Sequence, residues 1–295
     1  MNDLPDRLPL DEARVRRIFA RPRLLDADDF LQREVSKRMV ERLTSIRIEP
    51  SRVLDIGCGT GSDLAMLRER FAGATICGID ASLPRLLRAR ERAKTSGLAR
   101  LFRSRGDSLL AQSDFAALPF APQSFDCLWS NLALHWSAEP HRVLFEWSRV
   151  ARVGGLVTFS AFGPDTLREV TAAGAEAGGE RHVMPFTDMH DYGDMLVAAG
   201  FTTPVVDMER ITLTYSDTAT LWRDVRALGG NPVFNQGRGL RGRGFKRRLD
   251  EALARGRDRE GRYALSFELI FAHAWKGEPR TTRSGETIVR LERRP

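Results

Sequence analysis

Short apolar runs alternate with segments of helical periodicity along most of the chain. The apolar runs predict strands near 52–56, 75–79, 125–130 and 155–161. The segments between and after them predict helices near 62–71, 83–95, 138–151 and 188–199. This order is typical of a parallel sheet whose strands are joined by right-handed crossovers.

The N-terminal segment has helical spacing throughout. Helices are predicted over 11–19 and about 26–43, and the second carries an apolar stripe of Phe30, Leu31, Val35, Met39 and Leu43. We therefore expect residues 1–45 to form a helical cap in front of the first strand.

The C-terminal half departs from simple alternation. A third strand is poorly marked within 99–114, and the last two strands, near 204–214 and 265–275, have no standard crossover helix directly between them. Segments near 163–187 and 217–262 interrupt the pattern as insertions. Open α/β sheets bind ligands beyond the carboxyl ends of their strands, so insertions that leave those ends are natural substrate lids. Residues 46–276 then form the α/β domain, and 277–295 a polar, basic tail.

The most informative motif follows the first predicted strand. Asp55 precedes three glycines at alternate positions, Gly57, Gly59 and Gly61, with Cys58 inside the turn. A strand, a glycine turn and a helix let a ligand lie directly on the main chain. The spacing differs from the dinucleotide G-x-G-x-x-G fingerprint, and the lysine of a phosphate P-loop is absent. A carboxylate at Asp55 repels a diphosphate and suits a ligand with a cationic amino group.

A second acid ends the second predicted strand. Asp80, next to Ala81, stands about where the acid of a nucleotide-binding βαβ unit accepts hydrogen bonds from the two ribose hydroxyls. The alternative is a helix N-cap, since Ser82, Leu83 and a proline follow, and Ser82 fits that cap better than Asp80 does.

The pattern D-x-G-x-G-x-G resembles the S-adenosylmethionine site of class I, Rossmann-like methyltransferases. The resemblance implies a mostly parallel seven-stranded sheet with helices on both faces and an antiparallel last strand, here near 265–275, beside the fifth. It also implies that Asp114 bonds the adenine amine, that Phe115 supplies a backbone N–H, and that Asn131 and Leu132 pass the methionine end of the cofactor. Taken alone, Asp114 would be read as a turn residue.

Downstream motifs narrow the resemblance. Segments 159–169, 186–196, 222–231 and 272–276 are similar to the malonyl-acyl-carrier-protein O-methyltransferases of biotin synthesis. This family implies methyl transfer to the free carboxylate of a malonyl thioester on acyl carrier protein. The chain departs from many members by lacking a tyrosine ahead of its Leu31-Gln32 pair, and its first tyrosine is Tyr192. Two alternatives stay open: a protein like the complex I assembly factor that hydroxylates an arginine, and a methyltransferase for another small molecule.

Three residues are candidates for the methyl acceptor's site. Arg168, after the strand near 155–161, could clamp a carboxylate with two parallel hydrogen bonds, or it could pair on the surface with Glu169 or Asp165. His135 and Trp136 follow the strand near 125–130, and both can donate a hydrogen bond to an acceptor oxygen. Trp136 could instead belong to the core.

Composition limits the partners and the compartment. Net charge is +7, and six basic residues with no acid lie between 238 and 248 (Arg238, Arg241, Arg243, Lys246, Arg247 and Arg248). We interpret this run as a dock for an acidic acyl carrier protein or as a solvated lid helix. Nucleic acid is disfavoured because Phe245 is the one aromatic residue among the charges. The three cysteines lack a metal-binding spacing, and no membrane span or signal peptide is visible, so we expect a cytoplasmic protein without a metal.

Overall fold

A single seven-stranded sheet organises the computed structural model, which describes residues 7–21, 29–95, 109–178, 183–229, 233 and 243–278. The strands are β1 (Arg52–Ile56), β2 (Thr75–Asp80), β3 (Leu109–Gln112), β4 (Phe125–Ser130), β5 (Ala151–Phe162), β6 (Phe201–Tyr215) and β7 (Tyr263–Lys276). Their order across the sheet is β3-β2-β1-β4-β5-β7-β6. Strands β1 to β5 pair in parallel, while β7 runs antiparallel between β5 and β6. The predicted fold class and the antiparallel last strand beside the fifth are confirmed.

Helices cover both faces of this sheet. They are α1 (Glu12–Phe19), α2 (Phe30–Arg42), α3 (Leu64–Arg70), α4 (Leu83–Thr95), α5 (Pro140–Val150), α6 (Arg168–Glu176), α7 (Met189–Ala198), α8 (Thr218–Ala227) and α9 (Arg243–Arg255), with a 3-10 turn at Leu134–Trp136. Successive residues of β1 enter different apolar clusters, Val53 with α2 and α3 and Leu54 with α5 and α7. A strand buried on both sides explains why β1 reads as a continuous apolar run rather than an alternating one.

Several boundaries differ from the sequence prediction. Strand β5 begins at Ala151, four residues before the predicted start, because Ala151 already pairs with Phe125 of β4. The backbone is irregular between this pair and the rest of the strand, where Gly154 has a φ of +77°. The weakly marked third strand is only four residues long at the edge of the sheet. Phe30 was expected in the buried stripe of α2, but its side chain is 37% exposed. It occupies the first position of the helix, where the chain has just entered the fold.

The cap helix α2 is held to the sheet by apolar and ionic contacts. Leu31, Val35 and Met39 are buried in the same cluster as β1. Arg42 donates to Asp207 of β6 at 2.9 Å, and its guanidinium lies 3.7 Å from the ring centre of Phe271. In the described ranges, every helix is too short or too polar to cross a bilayer. Residues 279–295 of the predicted tail lie outside the described residues.

Candidate active site

The glycine turn after β1 forms the floor of a pocket. Gly57, Gly59 and Gly61 have φ values of +77°, +54° and +80°. The main-chain N–H groups of Gly57 and Cys58 donate to the carbonyl of Ile79 at 2.9 and 2.8 Å, which ties the turn to β2. A Cβ atom at Gly57 would lie 2.5 Å from Cβ of Ala133, so only glycine fits there.

A pocket of about 1270 Å³, its open mouth included, lies above this turn at the carboxyl ends of β1, β2 and β4. Of the eleven residues that we predicted for the cofactor, ten line it: Asp55, Gly57, Cys58, Gly59, Asp80, Ala81, Asp114, Phe115, Asn131 and Leu132. Gly61 shapes the turn without lining the pocket. His135 and Trp136 line it as well, whereas Arg168 does not. Topology thus brings together nearly all the residues that the motifs singled out.

One end of the pocket is acidic and dry. Asp55 is only 2% exposed, and its Oδ2 atom has no hydrogen-bond partner among the described residues. Burial raises the pKa of Asp55 well above its ordinary value, and the neighbouring charges of Asp63 and Asp80 raise it further. Burial also raises the pKa of Asp63. A buried carboxylate without a partner is costly, so this end of the pocket favours a cationic ligand.

Asp63 was missed by the sequence reasoning. It lies directly before α3, and its Oδ2 atom accepts hydrogen bonds from Nε1 of Trp129 at 2.8 Å and Nδ2 of Asn131 at 3.0 Å. Nδ2 of Asn131 also donates to the carbonyl of Gln32, and its Oδ1 atom accepts from Oγ of Ser160. Asn131 therefore orients Asp63 and joins α2 to the sheet. The sequence signal was an acid two residues after the glycine turn, which a helix N-cap would explain equally well.

Asp80, the last residue of β2, lines the pocket. Its two carboxylate oxygens accept the main-chain N–H groups of Gly59 at 3.0 Å and Ser82 at 2.7 Å. These bonds join the glycine turn to the start of α4, so Asp80 supports the turn that precedes α4 besides lining the pocket. Burial raises its pKa, an effect that the nearby Arg85 guanidinium opposes. Each oxygen keeps a second lone pair with which it can accept a ligand hydroxyl.

The far end of the pocket is closed by α1. Arg16 of this helix donates to Oδ2 of Asp114 at 3.2 Å. Phe19 packs edge-on against Trp136, with ring centres 4.9 Å apart, and the Arg85 guanidinium lies 4.7 Å from its ring centre. The sequence predicted α1 only as part of a helical cap, because helical spacing does not show what a helix covers. The segment that lacks the family tyrosine, 22–28, lies outside the described residues.

His135 belongs to an aromatic part of the pocket wall. The ring is 2% exposed and lies against Trp136, Phe162 and Phe186, with ring centres 5.1, 4.8 and 5.7 Å away. Its Nδ1 atom accepts the main-chain N–H of Phe162 at 3.4 Å, so Nε2 carries the proton of the neutral ring. Nε2 has no partner among the described residues, and burial lowers the pKa of the ring to about 3. Nε2–H of His135 is therefore a buried, uncharged donor that the described part of the protein does not use.

Arg168 does not reach this pocket. It is the first residue of α6, its side chain is 54% exposed, and its Nε atom donates to Glu169 at 3.2 Å. Glu169 in turn accepts from the main chain and the hydroxyl of Ser266 on β7. The surface pairing that the sequence left open is the one observed, and the carboxylate clamp has no support from the position of Arg168. Among the described lining residues, the arginines are Arg16, beside Asp114, and Arg85, beside Asp80.

In the described ranges, no group of three or more His, Cys, Asp or Glu side chains has the geometry to hold a metal ion. The three cysteines are buried free thiols, and burial raises the pKa of each. The pocket combines an acidic end that favours a cation, carboxylate oxygens of Asp80 that can accept hydroxyl groups, and an apolar wall with the neutral N–H donor of His135.

Known proteins resemble this chain in sequence and in fold. A family model described as a methyltransferase domain matches residues 54–159. Solved structures with the same fold include the YcgJ protein from Bacillus subtilis (TM-score 0.58, 16% identity, 84% of this chain and 100% of that chain). A second is a putative methyltransferase from Bacillus halodurans (TM-score 0.56, 17% identity, 83% and 100%).

Two full-length relatives are more informative. The chain is 44% identical over 276 residues to the malonyl-[acyl-carrier protein] O-methyltransferase of Laribacter hongkongensis, with 92% of each chain covered. It is 39% identical over 283 residues to the protein of that name from Gallionella capsiferriformans, covering 95% of this chain and 96% of the relative. Identity at this level along nearly the whole of both chains, together with the methyltransferase sheet order, shows that this chain belongs to the malonyl-[acyl-carrier protein] O-methyltransferase family.

Proposed function

We propose that this protein transfers a methyl group from S-adenosylmethionine to the free carboxylate of a malonyl thioester on acyl carrier protein, a reaction that serves biotin synthesis. The names and similarity of its relatives support the substrate. The main support for S-adenosylmethionine as the cofactor is the buried carboxylate of Asp55 beside the glycine turn. One of its oxygens has no hydrogen-bond partner among the described residues, so it suits a cationic ligand.

The residues present fit this cofactor. Asp55 and Asp63 would face its ammonium and sulfonium charges, and Asp80 its ribose hydroxyls. Asp114 and Phe115 would hold the adenine, and the main chain of Gly57 and its neighbours would lie beneath the ligand. When bound, S-adenosylmethionine supplies an electrophilic methyl carbon on a positively charged sulfur.

The acceptor needs positioning rather than a base. A malonyl carboxylate is already ionised near neutral pH, so no proton has to be removed. In our proposal, Nε2–H of His135 donates to one carboxylate oxygen and fixes its direction. A neutral donor withdraws less charge from the oxygen than a guanidinium clamp would, so the oxygen remains nucleophilic. The rings of Trp136 and Phe162 exclude water from the carboxylate, which strengthens its attraction to a nearby cation.

The other two functions have less support. The assembly-factor alternative depends on resemblance alone. Phe186 packs against His135 and Phe162, and we call these three rings together with Trp136 the acceptor wall. The full-length relatives described above carry the O-methyltransferase name, which favours carboxylate methylation over hydroxylation and over a different small acceptor.

Mass spectrometry of the carrier protein tests the proposal. Incubation of the purified protein with S-adenosylmethionine and malonyl-acyl carrier protein should add the mass of one methylene to the carrier. Acetyl-acyl carrier protein, which lacks the free carboxylate, is the matched control and should stay unchanged. A malonyl carrier of unaltered mass, under conditions in which calorimetry shows that the cofactor is bound, would contradict the proposed acceptor.

We extend the proposal to the docking of the carrier. Of the basic run, Arg238 and Arg241 and the side chain of Arg243 lie outside the described residues. In α9, Lys246 pairs with Asp250, and the exposed Arg247 pairs with Glu251 at 3.6 Å. These helical pairs leave the basic groups at the surface, where they would attract an acidic carrier protein.

Charge reversal separates docking from chemistry. Arg247→Glu should slow methylation of the carrier-bound malonyl group and leave methylation of malonyl-coenzyme A unchanged, since the small thioester does not need the docking surface. Arg142→Glu is the matched control, because Arg142 is also exposed and also pairs with a nearby acid, Glu139, at the N-cap of its helix. Equal effects of Arg247→Glu on both substrates would remove α9 from the docking surface.

A further inference from the structure

A second cavity lies beside the cofactor pocket, and the proposed malonyl acceptor does not account for it. We call it the side chamber. It has an empty volume of about 680 Å³, its opening included, and is walled by α6, α8, α9 and the segment 183–186. Its described lining consists of eleven apolar side chains and one hydroxyl, that of Thr166.

The side chamber adjoins the acceptor wall directly. Trp136, Phe162 and Leu228 line both the side chamber and the cofactor pocket, so one layer of side chains separates them. Trp136 is held tightly in this layer, since a Cβ atom at Gly229 would lie 2.7 Å from its ring. Phe162 is the residue whose N–H group orients His135. His135 lines the cofactor pocket and not the side chamber, but its ring centre is only 5.1 and 4.8 Å from those of Trp136 and Phe162. A ligand that extends from the side chamber past these two rings would therefore meet the Nε2–H group of His135.

The described lining offers almost nothing to a polar ligand. Thr166 already donates to the carbonyl of Glu268 at 3.1 Å and accepts its N–H at 3.2 Å. Nε1 of Trp222 already donates to Asp250 at 2.8 Å. No charged side chain is present among the described lining residues. An amide or a charge placed here would lose its hydration without replacement, so the chemistry of the lining selects hydrocarbon.

We propose that the side chamber binds an unbranched aliphatic chain, with the carboxylate end of that chain at the Trp136–Phe162 boundary beside His135. The ligand class is medium-chain aliphatic carboxylates. A malonyl group has a single methylene and leaves this volume unfilled. The phosphopantetheine arm of a carrier has amides and hydroxyls that would go unpaired in the side chamber, so it enters by another route.

Calorimetry on the full-length protein without cofactor tests the assignment, using butanoate, hexanoate, octanoate and decanoate as probes. Burial of each methylene contributes about 0.8 kcal/mol, so the affinity should rise about fourfold per methylene along the series. Pantetheine is the polar comparison and should not compete with decanoate. No binding of decanoate, an affinity that does not change with chain length, or displacement by pantetheine would each overturn the proposal.

Two chamber-filling variants locate the binding. Val225→Trp and Val170→Phe place larger side chains in the lining and should weaken decanoate binding by about tenfold or more through steric exclusion. Val205→Trp is the matched control, because Val205 is 51% exposed on β6 and does not line the side chamber. Cofactor affinity and the urea midpoint of each variant report whether it is folded.

Decanoate binding that survives in both folded chamber variants would place the fatty acid elsewhere and refute the assignment. Because the assay contains neither cofactor nor carrier protein, its outcome is independent of the proposed methyl transfer. Failure to methylate a malonyl carrier would leave a positive chain-length series standing. Methylation of the malonyl carrier with no decanoate binding would refute the side-chamber proposal alone.

Discussion

Replacing Gly57 by alanine tests the geometry on which the cofactor pocket depends. Gly57 has a φ of +77°, and a Cβ atom there would lie 2.5 Å from Cβ of Ala133. An L-residue in the left-handed region loses about 1–2 kcal/mol. Overpacking of a tight site adds about 1–3 kcal/mol. The free energy of unfolding should therefore fall by about 2–5 kcal/mol, the sum of these two terms.

Gly154→Ala isolates the backbone term. Gly154 has the same φ of +77°, but a Cβ atom there would meet nothing within 4 Å. Its variant should lose only about 1–2 kcal/mol. Urea unfolding followed by tryptophan fluorescence gives both free energies, and calorimetry gives the cofactor affinity. Affinity should fall in Gly57→Ala, whose turn must move, and should be unchanged in Gly154→Ala.

A reciprocal change tests the contact itself. Gly57→Ala combined with Ala133→Gly removes the overlapping methyl group and should recover most of the steric loss while retaining the backbone loss. Equal destabilisation by Gly57→Ala and Gly154→Ala would show that the contact with Ala133 carries no energy. A double variant no more stable than Gly57→Ala would lead to the same conclusion.

Three further predictions concern titration and hydrogen bonding. Burial and neighbouring acids raise the pKa of Asp55, so binding of a cationic cofactor should release a proton, and affinity should rise with pH through that raised pKa. Calorimetry in buffers of different ionisation enthalpy should show this release in the wild type and its loss in Asp55→Asn; a buffer-independent heat would contradict it. His135→Phe should lower turnover by about 2–12-fold, the contribution of one neutral hydrogen bond, and unchanged turnover would remove His135 from the site. Because burial lowers the pKa of His135 to about 3, wild-type turnover should show no histidine titration near pH 6.5. Asp126 pairs with Arg152 and accepts the main-chain N–H groups of Arg52 and Ser51, and these contacts lower its pKa. The stability that Asp126 contributes is therefore present above its ordinary pKa and is lost as pH falls through the folded pKa. Asp126→Asn should lower the free energy of unfolding by about 1–3 kcal/mol at neutral pH and flatten its acid dependence; an unchanged pH profile would refute this.

Local patterns were sufficient for the features that local physics controls. A buried strand needs an apolar run and the turn after it needs glycine, so β1 and the position of Gly57 could be predicted from adjacent residues. Asp55 and Asp80 could be assigned to the pocket from their places next to the glycine turn and at the end of the second strand. The carboxyl ends of neighbouring parallel strands meet at one edge of the sheet, so residues distant in sequence are neighbours once the fold class is known.

Tertiary structure decided what each buried or exposed face meets. Helical spacing predicted α1, but only the fold shows that Phe19 packs against Trp136 at the pocket. Arg168 follows β5 as a site residue would, yet it begins α6 and faces Glu169 instead. The described lining of the side chamber comes from five separate segments of the chain. The sequence by itself therefore determined the strand–turn–helix frame and its acids, because those depend on neighbouring residues. The acceptor wall and the side chamber depend on packing between distant segments, which no local pattern encodes.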